Sequence, residues 1–303
     1  MIGPTAPVSD LSLRRETRSQ FWTQGGGAVL RRLAGDPVTA VAMSVLMLLV
    51  LVAISAPLIA PFDPSEIDPL NALQHPSSGH LLGSDENGRD TLSRLIYGSR
   101  VSLMVGLIAV SVAVVVGVPL GLVAGYSGKI LDSVIMRAMD AILAFPAIIL
   151  ALAIVAVLGT GLPQIMVAIG ITSIPLYARL VRAQVLSLKE QDFVMAARAM
   201  GAPVPRILFR HILPNAIAPI VIAASLGLAF AILAEAGLSF LGLGVQPPTP
   251  TWGGMLQKGL PRIYQARELA IFPGIAIFIT VLALNIVGDA LRDALDPKLR
   301  GRL

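Results

Sequence analysis

The chain alternates between long apolar blocks and shorter polar stretches. Six blocks stand out: Val38 to Ala60, Val101 to Gly125, Ala141 to Gly159, Gln164 to Val185, Ile212 to about Glu235, and Ala270 to Val287. Each is near the roughly 20 residues that a helix needs to cross about 30 Å of hydrocarbon. The pattern predicts an all-α polytopic membrane protein with six transmembrane helices. Prolines interrupt the later blocks, at Pro119, Pro146, Pro175, Pro219 and Pro273. Lipid-embedded helices tolerate proline where neighbouring helices satisfy the freed carbonyls. The first block follows about 37 polar residues, too far along for a signal-peptide core, so it is read as a retained helix.

Composition agrees with lipid as the main solvent. Of 303 residues 55% are hydrophobic and 14% charged, with a mean hydropathy of +0.79, whereas soluble domains are about a quarter charged. The net charge of +5 does not point to nucleic acid, because the charges sit between apolar blocks without aromatic interleaving. With no cysteine, disulfides and thiolate metal sites are excluded.

Charge placement predicts orientation, since basic loops stay in the cytoplasm. One alternating set of segments holds seventeen of the 23 lysines and arginines, among them Arg14, Arg31, Lys129, Arg137, Arg179, Arg182, Lys189, Arg198, Arg206, Arg210 and Arg292; the other set holds six. Both termini are therefore expected in the cytoplasm. A stretch with Phe21, Trp22, Val29, Leu30 and Leu33 between arginines either lies on the inner membrane surface or forms an arm without fixed structure.

The loop from 186 to 211 is basic and rich in small residues. Its centre reads Met195-Ala196-Ala197-Arg198-Ala199-Met200-Gly201-Ala202. The alanines favour a short helix, and Gly201 suits a left-handed end. Nine residues separate Gly201 from His211-Ile212-Leu213-Pro214, where Pro214 fits the first turn of the next helix. This segment resembles the coupling loop of binding-protein-dependent ABC importer permeases, in which Glu-Ala-Ala, three residues, Gly, nine residues and Ile-x-Leu-Pro recur. Ala196, Ala197, Gly201, Leu213 and Pro214 match. Met195 stands where the family has glutamate and His211 where it has isoleucine, so no salt bridge is carried over to position 195.

Three further segments resemble the second permease of dipeptide and oligopeptide importers. They are Leu82-Gly83-Ser84-Asp85-Glu86-Asn87-Gly88-Arg89-Asp90, Ser239-Phe240-Leu241-Gly242-Leu243-Gly244-Val245-Gln246-Pro247-Pro248 with Trp252-Gly253, and Gly288-Asp289-Ala290-Leu291-Arg292-Asp293 with Asp296-Pro297. The resemblance implies a type I ABC importer permease fold in the bacterial inner membrane. It divides the chain into a cytoplasmic arm (1–37), a first transmembrane helix (38–60), a periplasmic loop (61–100), a five-helix core (101–290) and a cytoplasmic tail (291–303). It also implies a second permease, two ATP-binding subunits and a solute-binding protein as partners, with ATP and magnesium held by the partner subunits. Asp192, Phe193, Ala196, Ala197, Arg198 and Gly201 are then the expected ATPase-docking residues, with Ala196, Ala197 and Gly201 as the surface itself and Leu213 and Pro214 completing the motif. Dipeptides, oligopeptides, glutathione and nickel complexes all remain open as solutes.

No catalytic residue is expected in this chain. Gly128-Lys129 looks like the end of a phosphate loop, but Val123 and Ile130 stand where that motif needs glycine and a hydroxyl. His75 and His80 read as solvated loop residues rather than metal ligands. Glu235 is the one acid within an apolar block, either structural near the outer interface or a pore or outer-gate residue. It lies 23 positions after Ile212, about 35 Å of helix, which favours the outer interface. Asn285 is expected to join helices, as is the spacing Gly117, Gly121, Gly125. An ion-coupled secondary transporter would show membrane-depth acids and repeated halves, and neither is evident.

Overall fold

The computed structural model describes residues 33–295, and the described residues contain helices and an isolated bridge, Ser84 with Asp90, but no strands. The arm up to residue 32 and the tail from 296 lie outside the described residues, and with them the amphipathic stretch around Phe21 and Trp22. α1 spans Pro37–Ile59. Asp36 caps it by accepting from the Thr39 amide at 2.9 Å and the Thr39 hydroxyl at 2.6 Å, which holds the Asp36 carboxyl below its usual range. Pro37 occupies the first position, where a missing N–H costs nothing.

α2 spans Thr91–Tyr126, so it begins ten residues before the apolar block. Residues 91–100, expected in the loop, are its first turns. Their polar side chains are covered: Ser93, Arg94 and Ser99 are buried. Asp90 starts the helix by accepting from the amide and hydroxyl of Ser93, both at 2.7 Å.

The third block is not one straight span. α3 (Lys129–Leu143) and α4 (Ala147–Leu158) meet at 90°. Pro146 lacks an N–H and disfavours helical backbone at Phe145, so the hydrogen-bond ladder stops there. The 12 residues of α4 reach only about 18 Å. The described residues therefore contain five helices long and apolar enough to cross a membrane, and a sixth span only if the bent pair counts as one. Pro119, Pro175, Pro219 and Pro273, by contrast, sit inside continuous helices.

α5 (Leu162–Leu188) packs along α2 in the most extensive helix pair. Small residues make this approach possible. A β-carbon at Gly117 would lie 2.8 Å from the Ile174 carbonyl oxygen, and one at Gly125 2.6 Å from the Val185 β-carbon. The expectation of close packing along that glycine stripe is met. α3 is tied to α5 by ion pairs: Arg182 donates to both carboxylate oxygens of Asp132 at 2.5 and 2.7 Å, and Arg179 to Asp140.

The remaining elements are α6 (Asp192–Ala199), α7 (Leu213–Leu238), α8 (Trp252–Gly259) and α9 (Glu268–Leu295). The chain enters α7 through Val204–Arg206 and a wide helical turn, Ile207–Ile212. Asn285 donates to the Val281 carbonyl of its own helix at 3.0 Å. This hydrogen bond stays within one helix and does not itself join helices as expected.

Candidate functional site: a short surface helix and a buried carboxylate at the opposite end

α6 has only 8 residues, too few to persist alone, so its contacts hold it. Val194 and Ala197 supply them. Val194 is buried in a cluster with Leu122, Val181, Val185, Ile207 and Ile212, at the shared end of α2, α5 and α7, and Ala197 beside it on the same inward face is buried too. Lys189, just before the helix, donates to the Gly125 carbonyl at the end of α2 at 3.2 Å.

The other face is bare. Asp192, Met195, Ala196, Arg198 and Ala199 are exposed, and Phe193 is half-buried. The Arg198 guanidinium lies 5.6 Å from the centre of the Tyr126 ring. Ala197, at 2% exposure, cannot belong to a docking surface as expected from sequence. The helical period turns it inward, three positions from Val194.

The end of α6 is a closed Schellman motif. Gly201 has φ +77°, its amide donates to the Arg198 carbonyl at 3.0 Å, and the Ala202 amide donates to Ala197 at 3.1 Å. Nothing lies within 4 Å of a β-carbon placed on Gly201. The glycine is therefore required for its backbone angle, not for space. Leu213 and Pro214 are half-buried at the start of α7.

At the opposite end of α7, Glu235 is fully buried. It accepts from Ser239 Oγ at 2.7 Å and Ser102 Oγ at 3.4 Å, and Ser102 Oγ in turn accepts from the Trp252 amide at 3.4 Å. Trp252 is 1% exposed and its indole Nε1 donates to the Leu95 carbonyl at 3.0 Å. Glu235 thus joins α2, α7 and α8. The histidines of the α1–α2 loop are engaged as well. His80 lies 2.9 Å from Asp90 with its side chain 13% exposed, and His75 lies 2.8 Å from Glu268. His80 is therefore not the solvated loop residue expected, because the folded loop covers it. Among the described residues, no group of three or more His, Cys, Asp or Glu is placed to hold a metal.

The partners of Glu235 and of Asp132 were not readable from sequence. Ser102 and Glu235 are 133 positions apart, and Asp132 and Arg182 are 50 apart. The one available signal was that charges at 132, 140, 179 and 182 border apolar blocks.

Long apolar helices packed together, with the short, half-exposed α6 seated at one end, fit a membrane-embedded protein. Residues 117–301 match the family described as "Binding-protein-dependent transport system inner membrane component", and residues 26–76 match "N-terminal TM domain of oligopeptide transport permease C". A dipeptide transport system permease protein of Alkalihalophilus pseudofirmus is 47% identical over 89% of both chains. A glutathione transport system permease protein of Pectobacterium atrosepticum is 44% identical over 99% of this chain and 97% of its own length. Among solved structures, an inward-facing MetNI methionine ABC transporter chain superposes with a TM-score of 0.55 at 22% identity, covering 67% of this chain and 97% of that one. The chain belongs to the inner membrane components of binding-protein-dependent transport systems. It is a multi-pass inner membrane protein with the type I importer permease fold and serves as a permease subunit of an ATP-driven importer.

Proposed function

We propose that this chain forms half of a pathway that imports dipeptides, oligopeptides or related small solutes, paired with a second, different permease. ATP and its magnesium are bound and hydrolysed in two partner subunits, and a solute-binding protein delivers cargo to the outer face. Both termini and α6 lie in the cytoplasm, as the distribution of lysine and arginine favours. The observation that carries this reading is the division of α6, seated by Val194 and Ala197 while Asp192, Ala196 and Arg198 face outward. A seated helix passes motion in either direction, and its exposed small-residue face admits a partner's backbone. The helix biases the pathway between its two states only through contacts that differ between them.

The peptide class follows from the dipeptide relative of Alkalihalophilus pseudofirmus and a di/tripeptide relative of Pseudomonas aeruginosa, 48% identical over 84% of this chain. The glutathione relative supports a second reading, import of glutathione, itself a modified tripeptide. The test is to delete this chain while the ATP-binding subunits are still made. Uptake of dipeptide and glutathione and solute-stimulated ATPase activity are expected to vanish together. Persistence of both solute uptakes would overturn the proposal.

A further inference from the structure

The outer loop between α1 and α2 is fastened to the end of α8, to the turn Leu260–Arg262 that follows it and to the segment before it. Arg262 Nη2 lies 2.6 Å from Glu86 Oε2, and Lys258 Nζ 3.7 Å from Glu86 Oε1. These side chains are 33%, 31% and 24% exposed, for Arg262, Lys258 and Glu86. Next to them Arg94, which is buried, donates to the Pro64 carbonyl at 2.7 Å and the Pro248 carbonyl at 3.4 Å, joining the loop to the proline-rich segment before α8.

α8 has 8 residues and, like any helix so short, is placed by its ties rather than by its own stability. Its far side rests on α7, where a β-carbon at Gly253 would lie 2.6 Å from the Ala236 α-carbon. Whatever holds α8 therefore holds the outer end of α7 beside Glu235. Lys258 lies in the last turn of α8 and Arg262 in the helical turn just after it, so two like charges are brought together there and repel. Glu86 is the acid that the structure pairs with both. A carboxylate shared by two half-covered cations is screened less than an exposed pair.

We propose that Glu86 is a positioning residue: its clasp on Lys258 and Arg262 holds α8 over the outer end of α7 and keeps the outer mouth of the pathway shut until the loaded binding protein arrives. This rests on the importer reading above. Reversing the charge places three cations together and releases α8, so the outer mouth opens without a delivery and ATP is spent without transport.

The test uses the complete reconstituted transporter with its binding protein loaded from a mixture of alanyl-alanine and glutathione. ATPase activity is read with and without that protein, alongside uptake. In Glu86→Arg, uptake per ATP is expected to fall about tenfold and ATPase activity without binding protein to rise at least about threefold. Glu86→Gln, which keeps the side chain's shape, moves both in the same direction by less and decides the matter if the charge reversal does not assemble. The exchange Glu86→Arg with Arg262→Glu restores both values to within about twofold. Unchanged coupling in the Glu86 variants, or an assembled exchange variant as impaired as the single one, overturns the clasp. If the unaltered complex shows no stimulation by the loaded binding protein, the importer reading itself fails, which is a separate result.

Discussion

The backbone of Gly121 lies so close to Ala178 that a β-carbon there would sit 2.5 Å from the Ala178 carbonyl oxygen. The obstruction is backbone on a neighbouring helix, which cannot swing aside like a side chain. Gly121→Val is therefore expected to destabilise the fold by about 1–3 kcal/mol or more, the usual range for overpacking. Thermal unfolding in detergent measures this, with Gly128→Ala as a neutral control because nothing lies within 4 Å of its β-carbon.

Gly201 makes the opposite prediction about space. Its φ of +77° costs an ordinary L-residue about 1–2 kcal/mol, yet the site is open. Gly201→Val should loosen the end of α6 and lower uptake per ATP hydrolysed, whereas Gly201→Asn, which tolerates that conformation, should keep most of it. Parallel uptake and ATPase assays separate loss of coupling from loss of protein.

The double hydrogen bond between Arg182 and Asp132 fixes α3 on α5 at a partly covered site. Asp132→Ala and Arg182→Met should each lower the melting temperature, and the double variant should lose less than the sum. The coupling is expected at about 1 kcal/mol. A purely additive double variant would mean that the pair does not hold α3.

Glu235 separates acceptor from charge. Glu235→Gln keeps an oxygen for one of the Ser239 and Ser102 hydroxyls and turns an NH2 donor to the other, whose oxygen can accept, so stability should change by under about 1 kcal/mol. Glu235→Leu strands both hydroxyls in a buried junction and should cost about 1–3 kcal/mol. Normal uptake by a stable Glu235→Gln variant would assign the residue a packing role, and a selective loss of uptake would place it on the solute path.

Hydropathy alone located the long spans, because 20 apolar residues in a row have few other uses. It failed where tertiary contacts cover polar residues. The first turns of α2 carry Ser93, Arg94 and Ser99, which read as loop because the structure that buries them comes from residues far along the chain, such as Pro64 and Pro248. α3 escaped for a similar reason: Asp132, Arg137 and Asp140 break its apolar run, and the arginines answering Asp132 and Asp140 are on α5. The Gly201 ending of α6 was legible because the requirement is local, one positive φ after an alanine-rich turn. Which alanine faces outward was not, since Ala196 and Ala197 differ only in what the rest of the bundle places against them.

The most direct test is uptake of radiolabelled alanyl-alanine and glutathione into vesicles carrying the full transporter and its binding protein, with ATP supply and proton gradient varied independently. Uptake of at least one solute that requires ATP, survives collapse of the gradient and disappears without this chain is the predicted result. Uptake that continues without ATP and follows the gradient would contradict the account.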